Sequence, residues 1–133
     1  MKKIILLICF CFGILSCASQ AEKSSSDKGI SKIEKGKITI SNPELEYEVI
    51  IFDAGFESWL QTRGKQRGYY DLAYLENKNR IWVNTWNSRS RAGKAGYDYT
   101  IDYHSNVNYG FEVNYMLFNY LLYWQETNNI RLN

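Results

Sequence analysis

The chain is short of sulfur and imidazole: 133 residues contain three cysteines and one histidine. That scarcity excludes several chemistries. With His104 alone there is no H-E-x-x-H zinc helix, and no EF-hand loop is spelled out. Gly93-Lys94-Ala95-Gly96 lacks the Walker pattern, and no serine sits in a G-x-S-x-G elbow. No metal and no cofactor is expected. Carboxylates are scattered singly, so no glycosidase-like pair is visible, although folding can still bring Asp53, Glu76 or Glu112 together. Charge of one sign is lacking too. The 16 basic residues, less Lys2 and Lys3 of a removable leader, leave 14 against 14 acidic ones. A near-neutral chain has no broad basic field, so nucleic acid is not an expected partner.

What is present begins at the N-terminus. Lys2-Lys3 precede the uncharged run Ile4 to Ile14, 11 residues that suit the apolar region of a secretory signal and fall short of the roughly 20 that span a bilayer as a helix. The run closes on Ile14-Leu15-Ser16-Cys17, which resembles the bacterial lipobox. In that motif the cysteine thiolate takes a diacylglyceryl group as a thioether, and cleavage makes it residue one. Leu15 departs from the favoured small residue at its position. By this resemblance residues 1–16 are a lipoprotein signal peptide and Cys17 is the lipidation site. Cys9 and Cys11 then leave with the leader, so no thiol remains for a disulfide and the domain must be held by its core.

Residues 17–37 read as lipidated cysteine and tether, poor in large apolar side chains and mixed in charge. A flexible coil of 20 residues, Ala18 to Lys37, reaches roughly 25 Å. Ala18 and Ser19 follow the cysteine where an aspartate would favour inner-membrane retention in the familiar Gram-negative pattern. The expectation is therefore a lipid-anchored envelope protein, at the outer membrane and facing the periplasm.

Residues 38–133 remain as one domain. Its aromatic content is high: all 11 tyrosines and all 4 tryptophans lie beyond residue 43. Most are expected in the core, where large rings bury much area. Leu45 to Phe52 passes from apolar/acidic alternation to an apolar β-branched run and reads as a strand, with Lys37 to Ile40 as its hairpin partner across Ser41-Asn42-Pro43-Glu44. Asp53 caps a short helix, Ala54 to Thr62, whose Phe56, Trp59 and Leu60 share a face. Leu72, Leu75, Asn79, Trp82 and Trp86 recur at helical steps from Asp71 to about Arg89, with a strand over Arg80 to Trp86 as the rival. Tyr109 to Thr127, capped by Asn108, is apolar on most sides and carries Glu112, Asn119 and Glu126 as a thin polar stripe. The fold class is α+β, a small domain with an N-terminal strand or hairpin followed by about three helices, the last one central.

The loop between the last two helices, Ser88 to Asn108, has a short strand expected over Tyr97 to Tyr103 and places Asp102 and His104 at i, i+2. These two can form an acid/base pair or begin a metal site, though an exposed histidine beside a tyrosine-rich turn is favoured. Two basic clusters stand out, Arg63, Lys65 and Arg67 beside glycines, and Arg89, Arg91 and Lys94 in the long loop. Each is either an anion site for lipid phosphates or acidic glycan, or a solvated surface balanced by nearby acids; the second is favoured. Arg89 is further expected to reach Glu112.

The stretches EYEVIIFDAGFESWL (46 to 60), YYDLAYLENKNRIWVNTWNSR (69 to 89) and NYGFEVNYMLFNYLLYW (108 to 124), after a lipobox, resemble a family of small uncharacterised bacterial lipoproteins classed as a domain of unknown function. The resemblance implies a Gram-negative lipoprotein with one α+β domain and supplies no site residues. Function is read as a protein-interaction or accessory module at the envelope. Alternatives are a glycan-binding module using the Tyr97 to Tyr109 region, and a hydrolase using buried carboxylates or Asp102 with His104, toward which the reading leans least. The partners expected are the membrane, through lipid, and an envelope protein or glycan. Cys17→Ser should give a soluble or unprocessed chain in fractionation and intact-mass measurements; a correctly cleaved mutant that stays in the membrane would refute the anchor.

Overall fold

The computed structural model describes residues 30–34, 37–45, 47–51 and 53–133. The leader, Cys17 and the tether as far as residue 29 lie outside them. Three strands, β1 (Ile30–Glu34), β2 (Lys37–Asn42) and β3 (Tyr47–Ile51), form an antiparallel sheet in that order. Residues Ile30 to Glu34, expected in the tether, are thus part of the domain. Their pairing runs from Ile30↔Ser41 to Glu34↔Lys37. The pattern Ile-Ser-Lys-Ile-Glu looks too polar for a strand by itself, and the ladder to β2 supplies the hydrogen bonds that its composition does not advertise.

The expected hairpin forms between β2 and β3, in register from Ile38↔Ile51 to Asn42↔Tyr47. A 3₁₀ turn, Pro43–Leu45, joins them. Asn42, fully buried, ties this turn to a distant part of the chain: its Oδ1 accepts from Glu44 N at 3.1 Å and its Nδ2 donates to Tyr109 O at 3.0 Å. Along β3 the alternation is kept, with Tyr47 half-buried, Glu48 exposed and Ile51 in the core.

Helix α1 (Ala54–Thr62) starts where Asp53 accepts from Gly55 N (2.9 Å) and Phe56 N (3.3 Å), as its capping role requires. The same carboxylate accepts from the Tyr123 hydroxyl at 3.0 Å, which ties the helix start to the last helix. A Cβ at position 55 would stand 2.5 Å from that hydroxyl oxygen, so the close approach requires glycine. Helix α2 (Leu72–Arg91) is capped by Asp71, which accepts from Tyr74 N at 2.7 Å. It buries Leu75, Asn79, Trp82, Val83 and Trp86. That spacing is helical, so the rival strand over Arg80 to Trp86 does not occur: burial on one helical face outweighs β propensity.

Helix α3 (Phe111–Asn128) packs against β1, β2, α1 and α2 and is the centre of the molecule. Its start differs from expectation. The N-cap is Gly110, at φ +84° and without a side-chain cap, while Asn108 Oδ1 accepts from Gly110 N one step upstream. The expected polar stripe is not a wet face either, because Glu112 and Asn119 are buried and only Glu126 reaches solvent. Buried carboxamides along α3 turn back on their own helix instead: Asn114 Nδ2 donates to Gly110 O, Asn119 Nδ2 to Tyr115 O and Gln125 Nε2 to Leu121 O.

Most aromatics are core, as expected. Phe118 stacks on Trp82 with ring centroids 5.1 Å apart, Trp86 meets Trp124 edge-on at 4.8 Å, and Phe56 meets Tyr120 and Tyr123 at 5.5 Å. The residues after α3 fold back over this core. Leu132 is fully buried, its N–H donates to Gln125 Oε1 at 2.9 Å, and Trp82 Nε1 donates to Asn133 Oδ1 at 3.0 Å.

Tyr97 to Tyr103 does not form the expected strand. Asn87 takes the place of a neighbouring strand: its Oδ1 accepts from Ile101 N (2.7 Å) and its Nδ2 donates to Ile101 O (2.8 Å), while Trp86 Nε1 donates to Tyr99 O (2.7 Å). None of the described helices is long and apolar enough to cross a membrane. Leu121, wholly buried at the middle of α3, is the most direct test of the core. Leu121→Ala should cost about 2–5 kcal/mol in urea unfolding followed by circular dichroism.

Candidate functional site

Asp102 and His104 do come together. His104 Nε2 lies 2.9 Å from Asp102 Oδ1, with both side chains exposed, as favoured for this histidine. The loop around them is held rigidly. Tyr47 donates its hydroxyl to Asp102 O (2.8 Å), and the His104 N–H donates to the Tyr109 hydroxyl (3.0 Å). No cluster of three or more metal-ligating side chains occurs among the described residues.

Beside this pair runs a shallow polar groove between α2 and the loop. One part, about 330 Å³, is lined by Arg80, Asn84, Tyr103, His104, Ser105 and Asn106. An adjoining part of about 250 Å³ shares Arg80, Tyr103 and Ser105 and adds Glu76 and Asn77. Helix periodicity explains the α2 contribution, since Glu76, Arg80 and Asn84 follow one another at steps of four. Arg80 is steadied by donating to Asn77 Oδ1 at 2.7 Å. Tyr103 is half sunk in the groove floor: its hydroxyl donates to Asn114 Oδ1 (2.8 Å) and its ring stacks on Tyr109 at 5.0 Å. Burial, then the charge of Glu76, push the Tyr103 phenol up to about 12, with Arg80 pulling the other way. It is therefore a neutral hydrogen-bond donor at ordinary pH. The four-residue repeat of Glu76, Arg80 and Asn84 was the available sequence signal for this groove.

The three carboxylates left open by the sequence have separate duties. Asp53 caps α1, Glu76 lines the groove, and Glu112 is engaged elsewhere. Glu112 does not meet Arg89. Arg89 instead donates to the Tyr97 hydroxyl (2.6 Å) and to Arg131 O (2.8 Å), holding the loop and the chain after α3 against the end of α2. Arg67 takes the Glu112 carboxylate in a two-pronged grip, Nε to Oε2 at 2.8 Å and Nη2 to Oε1, while the guanidinium carbon lies 4.5 Å from the Tyr115 ring centroid. The Ser31 hydroxyl donates to the same carboxylate. Arg63 similarly pairs with Glu126, whose Oε2 also accepts from Trp59 Nε1 at 2.9 Å. The balancing acids expected for the first basic cluster are thus two residues of α3, far away in sequence.

Burial alone would raise the Glu112 carboxyl, but the hydrogen bonds from Arg67 and Ser31 and the Arg67 charge outweigh it, holding the group below its ordinary range. A carboxyl with a folded value below its unfolded one stabilises the fold at pH above the ordinary value of 4.5, and that contribution is lost as pH falls through the lower folded value. Glu112→Gln should therefore flatten the acid limb of the stability profile in urea titrations from pH 6 down to about pH 3. Arg67→Ala, which strands a buried carboxylate, should cost about 2–3 kcal/mol at neutral pH.

No curated protein and no solved structure matches this chain. One family description does match, over residues 4–133 and hence over the entire sheet, the three helices and the groove described above. The chain belongs to the family of unknown function DUF6146.

Proposed function

We propose that the protein is an envelope lipoprotein, anchored through Cys17, whose domain is an accessory module that binds another envelope component. The observation that carries this reading is the outer face of α2. Tyr74 and Ile81, seven residues apart, are exposed on this helix, which also supplies Glu76, Asn77 and Arg80 to the groove. A mixed surface with aromatic, aliphatic and arginine side chains beside satisfied polar groups has the composition of a non-obligate protein interface. The anchor is supported by the spacing of Lys2-Lys3, the apolar run and Cys17. The outer membrane, facing the periplasm, is the location that Ala18 and Ser19 favour.

Glycan binding is the second reading, favoured by the polar lining of the same groove. Of the loop tyrosines assigned to it, Tyr97 and Tyr109 are buried, which leaves Tyr99 and Tyr103 to meet a sugar. Cross-linking of the natively anchored protein in its own membranes, followed by affinity capture, distinguishes the two. Ile81→Glu and Arg80→Glu should abolish a reproducible cross-linked protein while leaving the thermal midpoint within about 2 °C. Full retention of that product by both variants would sink the α2-face reading. Capture of glycan, lost with Asn84→Ala, would favour the second.

A further inference from the structure

The start of the domain lies beside a basic, tyrosine-bearing surface. Ser31, in the first strand, and Arg67, in the loop from α1 to α2, both donate to the Glu112 carboxylate. The chain that precedes Ile30 therefore joins the domain next to residues 62–69. These residues line an open hollow of about 540 Å³ to which Arg63, Lys65, Arg67 and Tyr69 contribute.

The charges of this loop face outward. The Arg67 side chain is 52% exposed while that of Glu112 behind it is 9% exposed; the Arg63 side chain is 67% exposed against 36% for Glu126. The acids thus hold the guanidinium groups from the protein side and leave their outer edges to solvent. Lys65 Nζ lies 5.1 Å from the centroid of the Tyr69 ring, and Tyr69 is the most exposed aromatic among the described residues at 63%. Asp71, the nearest acid in sequence, is turned to its capping duty at Tyr74 N. The backbone is fixed from below, because the Tyr115 hydroxyl donates to Lys65 O at 2.6 Å.

We infer that this loop is a membrane-facing surface that docks on anionic lipid headgroups, with Arg63, Lys65 and Arg67 on the phosphates and Tyr69 at the headgroup level. The inference rests on the proposed anchor at Cys17. From Cys17 to Ile30 the chain has 13 steps, for which a flexible coil spans roughly 20 Å, so the attachment keeps the loop within reach of the surface that holds the lipid. Basic side chains close to an anionic leaflet gain attraction that salt screens, and tyrosine suits the interfacial layer.

The test is amine labelling of the natively processed protein reconstituted into vesicles of phosphatidylcholine, with or without phosphatidylglycerol. Lys94, beyond the other end of α2, is the internal reference, since a 20-residue helix is about 30 Å long. Lys65 should react about fivefold or more slowly relative to Lys94 on the acidic vesicles only, and Arg63→Ser should recover about fivefold, the effect of one basic residue near such a surface. An unchanged Lys65 to Lys94 ratio between the two vesicle types would overturn the inference, as would protection that persists in about 1 M salt. The mass of the Cys17 peptide reports the anchor separately. If Cys17 carries no lipid, the anchor falls; flotation of that same chain with acidic but not neutral vesicles would still uphold the basic face, and flotation with neither would overturn it.

Discussion

A helix enclosed on nearly every side must satisfy its polar side chains without water, and α3 lives under that constraint. It lies against the sheet and both other helices, yet it carries Glu112, Asn114, Asn119 and Gln125 within the core. The carboxamides are satisfied largely by the carbonyl four residues back, which costs no partner from a neighbouring element. The charged member is different. Glu112 needs both Ser31 and Arg67, so the first strand and the α1–α2 loop are fixed by one buried carboxylate. Satisfaction is incomplete, because the Oδ1 atoms of Asn79 and Asn119 have no hydrogen-bond partner among the described residues, and each such atom costs about 1–3 kcal/mol. Packed rings around Phe118, Trp86 and Phe56 supply the compensating burial.

Much of this was legible where the information is local. Asp53 marks a helix start by chemistry that acts over two or three residues and caps as read, and Asp71, read as the beginning of the second helix, is its cap by the same chemistry. The periodicity of Leu72, Leu75, Asn79, Trp82 and Trp86 is a property of one helix, and it placed α2 correctly. Ser41-Asn42-Pro43-Glu44 announced a turn for the same reason.

What escaped reading is what depends on contacts far apart in sequence. Ser31 gives no sign that its strand is held by Glu112, 81 residues away. Glu112 and Asn119 look like a wet stripe until their partners are known, and Arg89 has two acceptors, Tyr97 and Arg131, that no spacing reveals. The groove by α2 was half legible. Glu76, Arg80 and Asn84 repeat at four, but the opposing wall of Tyr103 and Ser105 belongs to a loop whose course Asn87 dictates.

The position of β1 at the sheet edge has a mechanical side. Among the described strands β1 is paired to β2 alone, and Ile30↔Ser41 is its first pair. A pull on the preceding chain directed away from β2 loads that pair before any other, so the ladder opens like a zip, one bond at a time, and yields at low force. The next residue, Ser31, is the one tied to Glu112. Under tension this clasp is the first catch that the peeling strand meets, and beyond it Arg67 keeps the carboxylate partnered while the rest of the domain stays closed.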